Sequence, residues 1–168
     1  DIKDPKTEVN RTDDSGYTPL ITACANRDNL DERIIMRLLE VPGIRVDTQV
    51  KSDGNTALHY FCQNYKSPLD CAEVLSTFVK LGADPNSRNS NNETPIFKAI
   101  FNNAIRLLLV EKLLENGADV NQVSASHGEG PLHYAVHLKR EDLLSTILKV
   151  CEFCVFHFVL VSFFFFEE

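Results

Sequence analysis

The sequence predicts an all-α fold, a solenoid of stacked helix-turn-helix units with projecting turns. A five-residue motif, Gly16-Tyr17-Thr18-Pro19-Leu20 in its first copy, recurs with its third residue at positions 18, 56, 94 and 130, so that the copies are 38, 38 and 36 residues apart. A second apolar segment follows each copy, and two of these segments lead into Gly-Ala-Asp-x-Asn. Such self-similarity at a nearly fixed period is the signature of a repeat architecture.

The motif predicts the start of a short first helix in each unit. Thr18, Thr56 and Thr94 each offer a side-chain oxygen that can cap a helix N-terminus. A proline follows Thr18 and Thr94, and proline suits the first helical turn because its φ angle is preset and it has no amide proton to leave unpaired. In the second unit this helix would run from Ala57 to Gln63.

Apolar residues at helical spacing predict a second helix in each unit. They run from Val74 to Val79 in the second unit and from Val110 to Leu114 in the third. Gly82 and Gly117 follow where a helix end needs a left-handed residue. The Ala-Asp-x-Asn that comes next predicts a polar turn projecting from the stack.

We therefore expect four units, at about 13–50, 51–88, 89–124 and 125–150, after a lead-in at 1–12. The fourth unit is the shortest between its two helices. The other three carry additional residues there, where extra length is tolerated. These additions are Asn26 to Glu32, Tyr65 to Asp70 and Asn102 to Ile105.

The motifs resemble those of the ankyrin-repeat family, whose repeat of about 33 residues is two antiparallel helices and a β-turn, with the signature Thr-Pro-Leu-His-x-Ala. The best matches are Gly130-Pro131-Leu132-His133-Tyr134-Ala135 and Leu114-Glu115-Asn116-Gly117-Ala118-Asp119-Val120-Asn121. The resemblance covers about residues 13 to 150. It implies a module that binds another protein through a concave surface of first helices and projecting turns.

The first three units depart from the signature at a few positions. The histidine is kept at His59 and His133 but is replaced by Ile21 and Phe97, and bulky Phe61 takes the small position in the second unit. We expect these replacements to change local packing without changing the fold.

The resemblance also implies which residues contact the partner. One set follows the signature histidine position on the first helix, and the other lies beside the turn glycine. The first set is Thr22, Tyr60, Lys98 and Tyr134, and the second is Tyr17, Asn55, Glu93 and Glu129. Among them Tyr60 and Tyr134 carry most weight, because tyrosine combines a large contact area with few rotors and a polar tip. The alternative is that both are merely surface aromatics.

The charge of the chain restricts the kind of partner, and its cysteine content indicates the cellular compartment. The chain has 17 Lys+Arg against 24 Asp+Glu, a net charge of -7, and its cations are not clustered, which argues against nucleic-acid binding. Arg45 and Arg88, near neighbouring turns, would suit an acidic partner, whereas the overall charge would suit a basic one. Five irregularly spaced cysteines and the absence of a signal-peptide pattern predict a reducing compartment, the cytoplasm or alternatively the nucleus. We also expect the protein to be a monomer.

The sequence predicts neither catalysis nor a cofactor. His133 and His137 share a helix face at the spacing of a two-histidine metal site, but His133 holds the signature position and no glutamate lies between them as in metalloproteases. Cys151, Cys154 and His157 resemble half of a zinc site in an apolar setting that lacks a fourth ligand. The glycines form no phosphate-binding loop. We expect no metal and no enzyme activity from these residues.

The last 18 residues do not follow the repeat pattern, and seven of the 11 phenylalanines lie there. Three interpretations of 151–168 are open. The first is a membrane helix, which would be short because a span needs about 20 apolar residues, and the second is a hydrophobic cap, which would lack the polar outer face that a cap needs. The third is an artefact of the reading frame, which we favour because the composition matches thymine-rich codons.

We therefore expect a non-catalytic protein-interaction scaffold or adaptor within a longer intracellular protein. The alternatives are a regulatory segment of a signalling enzyme, such as a kinase or ubiquitin ligase, and a tail-anchored membrane-associated protein.

Overall fold

The computed structural model describes residues 8–66, 71–101, 107–125 and 128–149. Within these ranges the regular secondary structure is helical and no strand is present. The helices are α1 (Pro19–Ala25), α2 (Glu32–Leu39), α3 (Ala57–Asn64), α4 (Ala72–Lys80), α5 (Pro95–Phe101), α6 (Leu107–Glu115), α7 (Pro131–His137) and α8 (141–149). The predicted all-α repeat fold is confirmed.

The first helix of each unit begins at the repeated motif. The Oγ1 of Thr18 accepts a hydrogen bond from the Ile21 amide at 3.2 Å, and Pro19 opens α1. In α3 the N-cap residue is Thr56, and the imidazole Nδ1 of His59 accepts from the Thr56 amide at 3.2 Å. Caps of this kind satisfy amides that have no partner within the helix.

The second helices of units two and three end at glycines in the left-handed region. Gly82 has a φ of 97° and Gly117 a φ of 90°. The Gly82 amide donates to the Val79 carbonyl at 2.9 Å and the Ala83 amide to the Phe78 carbonyl at 3.0 Å, which is the Schellman arrangement. Glycine takes this conformation without the steric cost of a Cβ atom.

The helices stack as two rows. The first helices α1, α3, α5 and α7 pack on one another in order, as do the second helices α2, α4 and α6. Equivalent residues of successive second helices lie in the core, so the apolar interior continues along the stack instead of forming one centre. These residues are Leu39, Phe78, Leu113 and Ile147.

The segments between the paired helices differ in length as the sequence predicts. Residues 26–31 separate α1 from α2, whereas only 138–140 separate α7 from α8. In the long segment of unit two, Tyr65 is 1% exposed and its ring lies 5.1 Å from that of Phe61. Tyr65 is the C-cap residue of α3 and lies four residues after Phe61, so helical spacing places its ring beside that of Phe61.

Residues 67–70 of the predicted addition in unit two, the whole predicted addition at 102–105 in unit three and the whole predicted tail at 151–168 lie outside the described residues. Within the described part of the chain, no helix has both the length and the apolar character needed to span a membrane.

Candidate partner-binding surface

The turn before the first helix in units one, two and three is shaped by an aspartate or asparagine side chain. The Oδ1 of Asp13 accepts from the Tyr17 amide at 2.8 Å, and the Oδ1 of Asn89 accepts from the Glu93 amide at 2.9 Å. Asp53 does the same for the Asn55 amide at 3.0 Å. Short Asx side chains stabilise turns by this contact. Each thereby fixes a predicted contact residue in front of its helix.

Backbone hydrogen bonds connect these turns from one unit to the next. The Ser90 amide donates to the Asp53 carbonyl at 2.9 Å, and the Ala125 amide donates to the Asn91 carbonyl at 3.1 Å. The turns of units two, three and four are thus held in register, and the side chains that they carry face a common surface.

Tyr17, Asp53 and Tyr60 form a hydrogen-bonded group across units one and two. The hydroxyls of Tyr17 and Tyr60 lie 2.9 Å apart. The Tyr60 hydroxyl donates to the Oδ2 of Asp53 at 2.7 Å. Asn55 completes the group by donating from its Nδ2 to the same Asp53 oxygen at 2.7 Å. The two tyrosine rings are tilted, with centroids 5.7 Å apart.

The group continues into unit three through Asn89. Its Nδ2 donates to the Oδ1 of Asn55 at 2.9 Å and to the Oε2 of Glu93 at 3.0 Å. The ammonium of Lys98 donates to the same Glu93 oxygen at 2.7 Å. We call this continuous chain of contacts the polar ladder. Its members are Tyr17, Tyr60, Asp53, Asn55, Asn89, Glu93 and Lys98.

Five of the eight sequence-predicted contact residues belong to the polar ladder, but they differ in exposure. Asn55 and Tyr60 are buried, with 4% and 8% of their surface exposed. Tyr17, Glu93 and Lys98 are partly buried. The two most buried members therefore present little area to a partner, and their main contacts are to other ladder residues.

The other three predicted residues lie outside the ladder. Thr22 is exposed on α1, where its hydroxyl donates to the Thr18 carbonyl at 3.0 Å. Tyr134 is half-buried, and its ring packs edge-on against that of Phe101 with centroids 4.6 Å apart. Glu129 lies 3.1 Å from the Nε2 of His137. The fourth unit thus contributes an aromatic surface and an acid to the same row of first helices.

Asp53 and Asn89 are the ladder residues that the sequence interpretation missed. Each binds the side chain of a predicted contact residue and also shapes its own turn. A signal was present, because an acid or amide lies in the turn shortly before the motif in the first three units. Its role across units becomes visible only when the turns are stacked.

Burial and hydrogen bonding determine the charges along the ladder. Burial raises the pKa of the Tyr60 phenol above its ordinary range, and its contacts with Tyr17 and Asp53 act in the same direction. Burial alone would also raise the pKa of Glu93, but hydrogen bonds from Lys98 and Asn89 outweigh it and hold that pKa below its usual value. At neutral pH the ladder thus has a neutral Tyr60 phenol in unit two and the Glu93–Lys98 ion pair in unit three.

Histidine and cysteine side chains are the natural candidates for metal binding or nucleophilic catalysis. No group of three or more His, Cys, Asp and Glu side chains among them could hold a metal ion. His133 accepts from the Gly130 amide at 3.3 Å, and His137 faces Glu129. Burial raises the pKa of the Cys24 thiol, which disfavours the reactive thiolate. The candidate half-site of Cys151, Cys154 and His157 lies outside the described residues.

Comparison with known proteins extends the repeat assignment to most of the chain. The model of ankyrin repeats in three copies matches residues 2–89 and 70–156. A probable serine/threonine-protein kinase of Dictyostelium discoideum is 49% identical over 144 residues, covering 86% of this chain and 16% of the kinase. Stress-activated protein kinase alpha of the same organism is 46% identical over 119 residues, covering 71% and 18%. The IkB-like protein of African swine fever virus is 31% identical over 142 residues, covering 84% and 58%.

The chain spans less than one fifth of the length of the two kinases. The matched ranges include all four motif copies and the helices that follow them. Ankyrin repeats form a non-catalytic fold that mediates protein–protein interaction through extended surfaces. On these grounds the chain belongs to the ankyrin-repeat family.

Proposed function

We propose that this chain is the partner-binding region of a larger signalling protein kinase, and that it binds a protein through the first-helix surface that carries the polar ladder, Thr22 and Tyr134. The ladder supports this proposal, because a hydrogen-bonded row across three units holds its side chains in place before a partner arrives. Such preorganisation lowers the entropy that binding costs.

In this proposal some residues of the surface contact the partner directly, and others hold those residues in position. Thr22, Tyr17, Lys98 and Tyr134 retain exposed area and would contact the partner. Asn55 and Tyr60 are buried and would act by holding neighbours in place, as Tyr60 does for Tyr17. Glu93 would orient Lys98 through their 2.7 Å contact. Glu129 would orient His137 at the end of the row.

Proximity labelling with the full-length protein in cells would identify the partner, and binding of the purified partner would then be measured with variants. We expect Tyr134→Ala and Thr22→Arg each to weaken binding by about tenfold or more, since the first removes an aromatic contact and the second places bulk on the surface. The matched control is Arg37→Ala, because its side chain is 84% exposed on the second-helix row. A partner whose affinity falls with Arg37→Ala but not with the first-helix variants would contradict the assignment.

Kinase membership rests on the two Dictyostelium relatives, which are named as kinases and are much longer than this chain. In the alternative, an adaptor without a catalytic domain, the same surface would bind its partner equally well. Sequencing the complete transcript distinguishes the two, since a kinase domain in the same reading frame is expected. The repeat region expressed alone should transfer no phosphate.

We also keep a cytoplasmic location as part of this proposal, which fluorescence imaging of the tagged full-length protein would test.

A further inference from the structure

Asn10 makes the contacts of a closing-turn residue. Its Nδ2 donates to the Gly43 carbonyl at 2.7 Å and its Oδ1 accepts from the Arg45 amide at 2.7 Å. Asn86 closes the turn of unit two and makes the equivalent pair of contacts with unit three. Its Nδ2 donates to the Gly117 carbonyl at 2.9 Å, and its Oδ1 accepts from the Asp119 amide at 2.7 Å.

The backbone around Asn10 repeats the same geometry. The Arg11 amide donates to the Glu8 carbonyl at 3.2 Å, and the Ser87 amide donates to the Asp84 carbonyl at 3.1 Å. Glu8 and Arg11 lie two residues before and one after Asn10, as Asp84 and Ser87 do around Asn86. Residues 8–11 therefore have the form of the turn that ends a unit, and they bind to unit one as the end of unit two binds to unit three.

The face of unit one on this side is uncovered, whereas the same face of every later unit is covered. Pro19 is exposed and Ala23 is half-buried. Their equivalents are buried beneath the preceding unit in all three later copies. These equivalents are Ala57, Pro95 and Pro131 for Pro19, and Phe61, Ala99 and Ala135 for Ala23.

The uncovered face forms an open groove of about 710 Å³. Pro19, Ala23, Ile34 and Leu38 line its apolar part, and residues of the turn around Asn10 line its edge. A unit that ends a solenoid needs a polar outer face for solubility. Unit one instead has Pro19 and Ala23 at the two positions where units three and four bury a proline and an alanine.

We propose that this groove receives the helix pair of one further ankyrin unit, which is joined to unit one through the turn at residues 8–11. The occupant is an amphipathic pair of short helices that places its apolar side on Pro19, Ala23 and Leu38. Unit one is then an internal unit, and the first-helix surface continues beyond Tyr17. Residues 8–11 belong to that further unit instead of to a lead-in.

Thiol labelling tests the proposal with two proteins, residues 1–168 and the same chain extended by the roughly 35 residues that its own coding sequence places before Asp1. Ala23→Cys supplies the probe in a Cys151→Ser, Cys154→Ser background, because Ala23 is only half-buried whereas its equivalents Phe61, Ala99 and Ala135 are buried. The matched control is Val136→Cys, because Val136 is 61% exposed on α7 at the other end of the stack. We expect the extension to slow labelling at position 23 by at least about tenfold and to leave position 136 unchanged, since packing blocks access of the reagent.

Equal labelling at position 23 in the two proteins would overturn the proposal. A coding sequence that provides no helix pair before Asp1 would overturn it as well. A second copy is the rival occupant: a dimer of the extended protein in light scattering, converted to a monomer by Ile34→Asp, would assign the groove to self-association. Because none of these measurements uses the partner, they can fail or succeed independently of the proposed function.

Discussion

At the scale of single residues, His59 shows how one side chain supports both a helix and the stack. Its Nδ1 accepts from the Thr56 amide, so the proton is on Nε2, which donates to the Glu93 carbonyl of the next unit at 3.1 Å. The ring is fully buried. Burial lowers the pKa of His59 to about 4, so the ring is neutral near pH 7. The signature histidine thus connects unit two to the turn that carries Glu93.

Because of His59, stability is expected to fall as the pH falls from about 6.5 to about 4. The unfolded chain binds a proton on this residue near its ordinary pKa of about 6.5, whereas the folded chain does so only near a pKa of about 4. The unfolded state therefore binds more protons in this window, and the full difference corresponds to about 3 kcal/mol. Urea unfolding across this range would measure the slope.

His59→Gln should flatten that slope even if it also lowers the overall stability. The matched control is His133→Gln, because His133 holds the same position in unit four but is exposed. If the slope of the unfolding free energy against pH is the same in His59→Gln as in the parent protein, this explanation is wrong.

Asn86→Ala is expected to lower the free energy of unfolding by about 1–2 kcal/mol, because it removes both hydrogen bonds from the turn of unit two to that of unit three. Asp47→Ala is the control: Asp47 holds the equivalent position in unit one, and its carboxylate pairs with Arg45 of the same turn at 3.5 Å. An exposed pair of this kind contributes little. Chemical denaturation of both variants would show whether Asn86→Ala lowers the free energy of unfolding more than Asp47→Ala does.

At the scale of helices, α3 is the most enclosed first helix in the described stack. Every residue from Ala57 to Asn64 except Gln63 is buried. The ring of Phe61 lies 5.1 Å from Tyr65 and 6.0 Å from Phe78, so it joins the inter-helix segment to α4. Phe61 replaces the small signature residue, and its ring packs between Tyr65 at the end of the same helix and Phe78 of the second helix.

Phe61→Ala should destabilise the protein by about 3–5 kcal/mol, because it empties a site that is 0% exposed and removes two aromatic neighbours at once. Leu81→Ala is the comparison, since Leu81 is 42% exposed and closes the C-terminal end of α4. Thermal unfolding followed by circular dichroism would measure both. If the Phe61→Ala protein is as stable as the Leu81→Ala protein, neighbouring side chains have filled the space left by the ring and the prediction is wrong.

At the scale of the whole molecule, contacts run between neighbouring units. Helix α3 packs on α1 and on α5, and α5 packs on α7. The stability of such a stack is approximately a sum of the stabilities of units and of the interfaces between neighbours. The polar ladder follows the same order, since each of its steps is within a unit or to an adjacent one.

Ending the chain after Ser124 is therefore expected to remove unit four without unfolding the others. The shortened protein should keep the helical circular dichroism of units one to three and show an m-value in urea that is lower by roughly a quarter, in proportion to the surface lost. The control shortens the chain by the same number of residues at the other end, removing 1–44 and with them most of unit one. Loss of helical signal from all units on ending at Ser124 would show that the four units fold only together.

The sequence by itself determined the number of motif copies, the N-cap at Thr18 and the glycine helix ends at Gly82 and Gly117. These features depend on residues three to five positions apart, which sequence spacing displays directly. The tertiary structure decided that Tyr60 and Asn55 are enclosed by partners such as Tyr17 and Asn89, which are 43 and 34 residues away. It also decided that Asn10 acts as a closing-turn residue. Such contacts form only when the units are stacked, because no local pattern records which side chain the next unit brings alongside.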